Sequence, residues 1–213
     1  MNQKASTKKS GEKVITYVDG FNLYFGLKSK GWQRFLWLDI WRMSERLLKP
    51  HQTLVGVKYF TSRIRFPRDK ASRQNTFLEA LETIPGLEIF YGNYQIIRRN
   101  CRKCGYLDHV PNEKMSDVNI ASEMLTDAFL NKFDTALLVS ADGDLMTPVK
   151  RIAETVGKRI VVVFPPDRRS FTLEKVATAH MTIGRNHLAH SQFPNEVKKK
   201  NGFILKRPSE WPT

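Results

Sequence analysis

The chain has 213 residues and a mass of 24.7 kDa, which suits one domain with tails. Its 41% apolar and 26% charged residues permit a packed core and exclude a globally disordered chain. Lys and Arg number 35 against 21 Asp and Glu, a net charge of +14. No apolar run is long enough to cross a membrane, and the polar, Lys-rich N-terminus lacks the apolar stretch of a secretory signal. Cys101 and Cys104 cannot build a disulfide framework and suit a reducing compartment, so no membrane association and a cytoplasmic location are expected.

Residues 1–13 carry four lysines against one glutamate, and residues 191–213 five basic against two acidic residues. The 26 basic and 18 acidic residues between them leave the excess in the middle of the chain as well. A basic folded body favours a polyanionic partner, because phosphates neutralised by Lys and Arg release condensed counterions. The organisation expected is a flexible basic tail over 1–13, one domain over 14–190, and a basic tail over 191–213.

In chain order, Val14 to Val18 reads as a strand ending in the turn Asp19-Gly20, and Asn22 to Lys28 as a short helix. Leu38 to Leu48 has helical spacing and is stopped by Pro50. Leu54 to Thr61 reads as a second strand, and Asp69 to Ile84 as a helix ended by Pro85-Gly86. Leu87 to Ile97 reads as one long strand, and Arg98 to Lys114 as a polar loop carrying both cysteines. Ser116 to Leu130 is expected to be a helix capped by Ser116. Thr135 to Ser140 is a buried strand, Asp144 to Val156 a helix closed by Gly157, and Arg159 to Phe164 an apolar strand. Ser170 to Ala179 reads as a helix, and Met181 to Ile183 as a short last strand followed by a brief helix. Strands alternating with helices predict an α/β fold with a mainly parallel sheet of five to six strands and helices on both faces.

Such sheets bind ligands beyond the carboxyl ends of their strands. Asp19 follows the first strand, Asp142 and Asp144 follow the strand ending at Ser140, and Asp117 lies in the first turn of the helix before it. Each acid alone has a plain structural use as a turn residue, a cap or a partner of a helix dipole. Their joint placement points instead to a shared hard cation, Mg²⁺ or Mn²⁺, which prefers oxygen ligands, activates water and neutralises phosphoryl charge.

The stretches Tyr17-Val-Asp-Gly-Phe-Asn-Leu-Tyr24, Ser116-Asp-Val-Asn-Ile-Ala121 and Val139-Ser-Ala-Asp-Gly-Asp-Leu-Met146, in that order, resemble the NYN domain family of the PIN-like nucleases, which includes the LabA group. The resemblance covers roughly residues 14–190. It implies a PIN-like (Rossmannoid) three-layer α/β/α fold and a metal-dependent endoribonuclease leaving 5′-phosphate and 3′-hydroxyl ends. By position it implies that Asp19, Asp117, Asp142 and Asp144 hold the ion and that Asn22 and Ser140 frame the pocket. Many relatives read Ser-Gly-Asp-Ser-Asp where this chain has Ser140-Ala-Asp-Gly-Asp144; both acids are kept. The alternative is a non-catalytic RNA-binding or regulatory NYN protein. PIN-like relatives often pair, so a homodimer belongs to the same expectation. A Rossmann dinucleotide enzyme is disfavoured by the lack of Gly-x-Gly-x-x-Gly after the first strand.

Cys101-Arg-Lys-Cys104-Gly105 is half of a zinc ribbon, with His109 as a third ligand and Asp108, Glu113 or a second chain as the fourth; a pair of free thiols is the simpler use. For RNA contact the candidates are Arg63 and Arg65 after the second strand, Arg98, Arg99, Arg102, Lys103 and Lys114 in the loop, and Tyr24 as a stacking ring.

Overall fold

The computed structural model describes residues 11–100 and 103–211, and the side chains of all of these except 94–99 and 108–113. The elements are β1 (Glu12–Asp19), α1 (Gly20–Ser29), α2 (Ile40–Arg46), β2 (Gln52–Thr61), α3 (Arg68–Leu81), β3 (Leu87–Tyr91), β4 (Asn93–Asn100), β5 (Leu107–Lys114), α4 (Ser116–Phe129), β6 (Thr135–Val139), α5 (Met146–Arg151), β7 (Arg159–Phe164), α6 (Phe171–Val176), β8 (Ala179–Thr182), α7 (Arg185–Ala189), β9 (Glu196–Lys198) and β10 (Ile204–Lys206). Six strands form one parallel sheet in the order β3-β2-β1-β6-β7-β8. With helices on both faces, this is the expected three-layer PIN-like α/β/α fold.

A central strand covered on both faces buries successive residues in opposite cores. In β1, Val14 and Val18 enter the core shared with α1, α2 and α3, whereas Ile15 and Tyr17 enter the core shared with α4, α5 and α6. No helix among the described residues is long and apolar enough to cross a membrane.

Four local expectations are corrected. The run Leu87 to Ile97 is two strands, not one: β3 lies in the sheet, while β4 leaves it to pair antiparallel with β5. The break falls at Gly92, where a Cβ would lie 2.7 Å from both the Lys114 carbonyl and the Ser62 hydroxyl. Much of the expected polar loop 98–114 therefore belongs to this hairpin, whose alternating polar residues carry little apolar signal. The cap of α4 is Met115, in the left-handed region at φ 78°, rather than Ser116. The helix expected over 144–156 is a 3₁₀ turn (Gly143–Leu145), then α5, then a wide π turn (Ile152–Val156) closed by Gly157 at φ 73°.

The tails also differ from expectation. Residues 1–10 of the N-terminal segment lie outside the described residues, but Glu12 and Lys13 already belong to β1. The segment 191–211 is folded onto the domain. Phe193, Val197, Leu205 and Trp211 join the core over α3, and Lys199, within the expected basic tail, pairs with Glu79 at 2.9 Å. Few apolar residues suffice because each is placed on the core at a spacing that no helix or strand period reveals. Trp211 packs against Trp37 and Phe77 with ring centroids 6.5 and 6.1 Å apart. Trp211→Ala is expected to cost about 3 kcal/mol, read as a lower urea midpoint at an unchanged slope.

Candidate functional site

β1 and β6 are parallel neighbours from Val14↔Thr135 to Val18↔Val139, yet the chain leaves β1 toward β2 and returns to β6 on the other side. A crevice therefore opens at their carboxyl ends. Asp19, the last residue of β1, is buried there. Its Oδ1 accepts the Asn22 N–H at 2.9 Å and so caps α1, while its Oδ2 accepts the Ser140 hydroxyl at 3.0 Å from the end of β6. Only glycine fits at the next position, because a Cβ on Gly20 would lie 2.5 Å from the Tyr59 hydroxyl and 2.8 Å from the Phe60 carbonyl.

Ser140 and Asn22 stitch the two strand ends together. The Ser140 Oγ accepts the Asp142 N–H at 3.0 Å, and the Asn22 Oδ1 accepts the Ala141 N–H at 3.2 Å. Asp142 Oδ1 accepts the Asp144 N–H at 2.9 Å. Asp19 and Asp142 thus do serve as caps, each through Oδ1; the second oxygen of Asp19 accepts the Ser140 hydroxyl, and that of Asp142 is left for other work. Asp117, half-buried in the first turn of α4, enters the same pocket, which has a volume of about 220 Å³ and is lined by Asp19, Asn22, Asp117 and Asp142 together with Lys114 and Arg168.

The acids feel one another. Burial pushes the Asp19 carboxyl up to about 6, against the hydrogen bonds from Asn22 and Ser140, and the charges of Asp117 and Asp142 push the same way. Asp117 is raised by burial and then by Asp142 and Asp144. Lys114 and Arg168 stand at the wall, but neither forms an ion pair among the described residues. An all-oxygen set of mutually repelling carboxylates has the donor chemistry of a hard divalent ion. As placed, no three His, Cys, Asp or Glu side chains among the described residues close on one point tightly enough to hold a metal. Closing on an ion requires side-chain rotation, and the Asp117 and Asp144 carboxylates, with no hydrogen bond among the described residues, are free to supply it.

Burying a charge that repels its neighbours costs stability. For Asp19 the cost is absent below the unfolded value near 4, grows as pH rises toward 6, and is complete above it. Asp19→Asn in chelator is therefore expected to stabilise the protein near pH 8 by up to about 3 kcal/mol, with the gain vanishing near pH 4. Thermal melts at the two pH values measure it.

The other candidate residues are distributed differently. Arg63 is bonded to Asn75 Oδ1 at 3.0 Å and the Tyr91 hydroxyl at 2.8 Å, away from the acidic pocket. Arg65 and Lys103 are exposed. Arg98, Arg99 and His109 lie on the β4–β5 hairpin, where Arg98 pairs with His109 in register. Cys101 and Arg102 lie outside the described residues, and Cys104 is exposed with a free thiol. Tyr24 lines a second cavity of about 560 Å³, largely apolar, which shares Phe21 and Phe25 with the acidic pocket. Sequence reasoning missed Arg168, whose guanidinium lies 5.9 Å from the Phe25 ring and whose Nε is buried without a hydrogen-bond partner. Its place just after β7, another strand with its carboxyl end at this edge, was the available signal.

Residues 13–184 match the NYN domain family. The chain belongs to the NYN domain family. This is a PIN-like nuclease family, and the match runs from the second residue of β1 through β8 and includes all four acids. Along 92% of its length and 74% of the relative's, the NYN chain is 25% identical to 6-hydroxy-3-succinoylpyridine 3-monooxygenase HspA of Pseudomonas putida. A crystal structure of a protein of unknown function from Vibrio parahaemolyticus shares the NYN chain's fold with a TM-score of 0.56 and 21% identity, covering 84% of this chain and 98% of that one.

Proposed function

We propose that this NYN protein is a metal-dependent endoribonuclease. The observation that carries the reading is the meeting of Asp19, Asp117 and Asp142 in one pocket at the β1–β6 crevice, where the charge of Asp142 adds to burial in raising both Asp19 and Asp117. Asp19, Asp117 and Asp142, with Asp144 as a further ligand, would hold Mg²⁺ or Mn²⁺. When bound, the ion makes a water more acidic and neutralises charge on the phosphoryl oxygens. The protein's own part is positioning. Ser140 and Asn22 fix Asp19 and the 140–142 turn, so the buried acid keeps one orientation. Asp144, exposed at the rim, would serve either as that further ligand or as the base that orients the attacking water and takes its proton. Lys114 and Arg168 hold the phosphodiester against the acids, which could not attract it themselves. The excess of basic residues supports RNA as the polyanion.

The test is cleavage of labelled single-stranded RNA with Mn²⁺ and with chelator. Cleavage only with the ion, leaving 5′-phosphate and 3′-hydroxyl ends, is expected. RNA binding without cleavage under any divalent ion would favour the non-catalytic RNA-binding alternative. A third result bears on the similarity to a monooxygenase: turnover of a hydroxypyridine under dioxygen with a two-electron reductant, and none of RNA, would replace hydrolysis with oxygenation. Zinc at Cys101, Cys104 and His109 is a separate structural proposal, checked by metal analysis of the purified chain.

A further inference from the structure

We infer that the apolar chamber beside the acidic pocket captures one unstacked nucleobase of the RNA strand, next to the phosphodiester bound at the acids; the inference rests on the nuclease reading and adds its subsite. The chamber's volume of about 560 Å³ falls within the range of small-ligand sites. It is too large to be a packing fault, since interiors keep few voids bigger than a water. Its floor is buried and apolar, with Leu23, Leu27, Tyr59 and Phe77 contributing. Its rim exposes two aromatic rings, Phe25 at 43% and Phe66 at 59%. Exposed rings around an apolar hollow are what a flat heterocycle needs to leave its stack.

Charge and continuity select the occupant. Lys28 and Lys70 line the chamber, exposed and without an ion-pair partner among the described residues, whereas the lining carboxylate Glu210 is held by Arg73 at 2.7 Å. The site therefore accepts an apolar ring attached to negative charge. Phe21 and Phe25 line both cavities, so a strand whose phosphate meets the acids has its neighbouring base at the chamber's threshold. Gln33 and Thr61 are among the polar side chains of the lining that can meet the base edge.

The experiment measures binding of short single-stranded RNAs with one abasic site walked along the strand, in an Asp142→Asn background with Mg²⁺ so that the strand stays intact. One position is expected to show a penalty of about tenfold, the equivalent of losing one base–aromatic stack of ~1–3 kcal/mol. Two rim variants, Phe66→Ala/Lys70→Ala and the space-filling Gln33→Trp, are each expected to erase that penalty while melting like the parent. A penalty that persists in both variants, or cleavage by the unmodified protein with no position showing a penalty, overturns base capture and leaves the nuclease reading standing. A penalty erased by the variants in a protein that never cleaves RNA keeps base capture and removes hydrolysis. Failure to bind RNA at all overturns both.

Discussion

Asp142→Asn is expected to reduce Mn²⁺-dependent RNA cleavage by more than 100-fold, because loss of groups that merely orient a metal ligand already costs roughly 10- to 100-fold. The substitution keeps the side chain's shape and its oxygen, so the cap on the Asp144 N–H survives and the turn beyond β6 should hold. What disappears is one negative charge in a pocket where Asp117 and Asp19 both respond to it. Two readouts besides activity follow. Mn²⁺ should raise the melting temperature of the parent and not of the variant, since a ligand that binds only the folded state stabilises it. In chelator the variant should melt no lower than the parent. Undiminished cleavage by the variant would remove this acid from the site.

Asp127→Ala is expected to cost about 3–5 kcal/mol, a fall in melting temperature of roughly 10 °C for a chain of this size. Asp127 is fully buried on α4. Its Oδ2 accepts the Tyr17 hydroxyl at 2.7 Å and meets Lys58 Nζ at 2.5 Å, and Lys132 Nζ reaches its Oδ1 at 2.9 Å. Lys58, itself buried on β2, also pairs with Glu123 at 2.6 Å. Burial alone would raise the Asp127 carboxyl and lower the Lys58 ammonium, but their mutual contacts outweigh it, so Asp127 is held low and Lys58 high. Removing the acid leaves the buried Lys58 ammonium with Glu123 alone and strands the buried Tyr17 phenol. Replacing both partners, as in Lys58→Met/Asp127→Leu, should recover part of the loss, because no buried ammonium is left and the charges that lose a partner, Glu123 and Lys132, reach solvent. The depressed acid contributes stability above the ordinary carboxylate range that fades as pH falls through its folded value, so the gap between parent and Asp127→Ala should narrow in acid. The network ties α4 to β1 and β2, and α4 carries Asp117. At a temperature where Asp127→Ala remains folded, its cleavage should still fall, measured beside circular dichroism of the same sample.

The parallel α/β sheet was legible in residues such as Val14 to Val18 and Arg159 to Phe164, because a strand buried on both faces must be apolar throughout, whatever surrounds it. The acids were legible for a related reason: a strand end followed by Asp19-Gly20 or Asp142-Gly143-Asp144 must turn at the sheet edge where such folds bind ligands. Only the tertiary structure decided how those acids are held. The Ser140 hydroxyl reaches Asp19 across 121 positions of sequence, a bond that no local period encodes. The same holds for Arg168 at the pocket wall, for the hairpin β4–β5, and for a C-terminal segment whose Trp211 closes the core over Trp37. Local sequence fixes what a stretch can become on its own. Long-range packing decides which stretches meet, since that depends on the free energy of burying both surfaces at once.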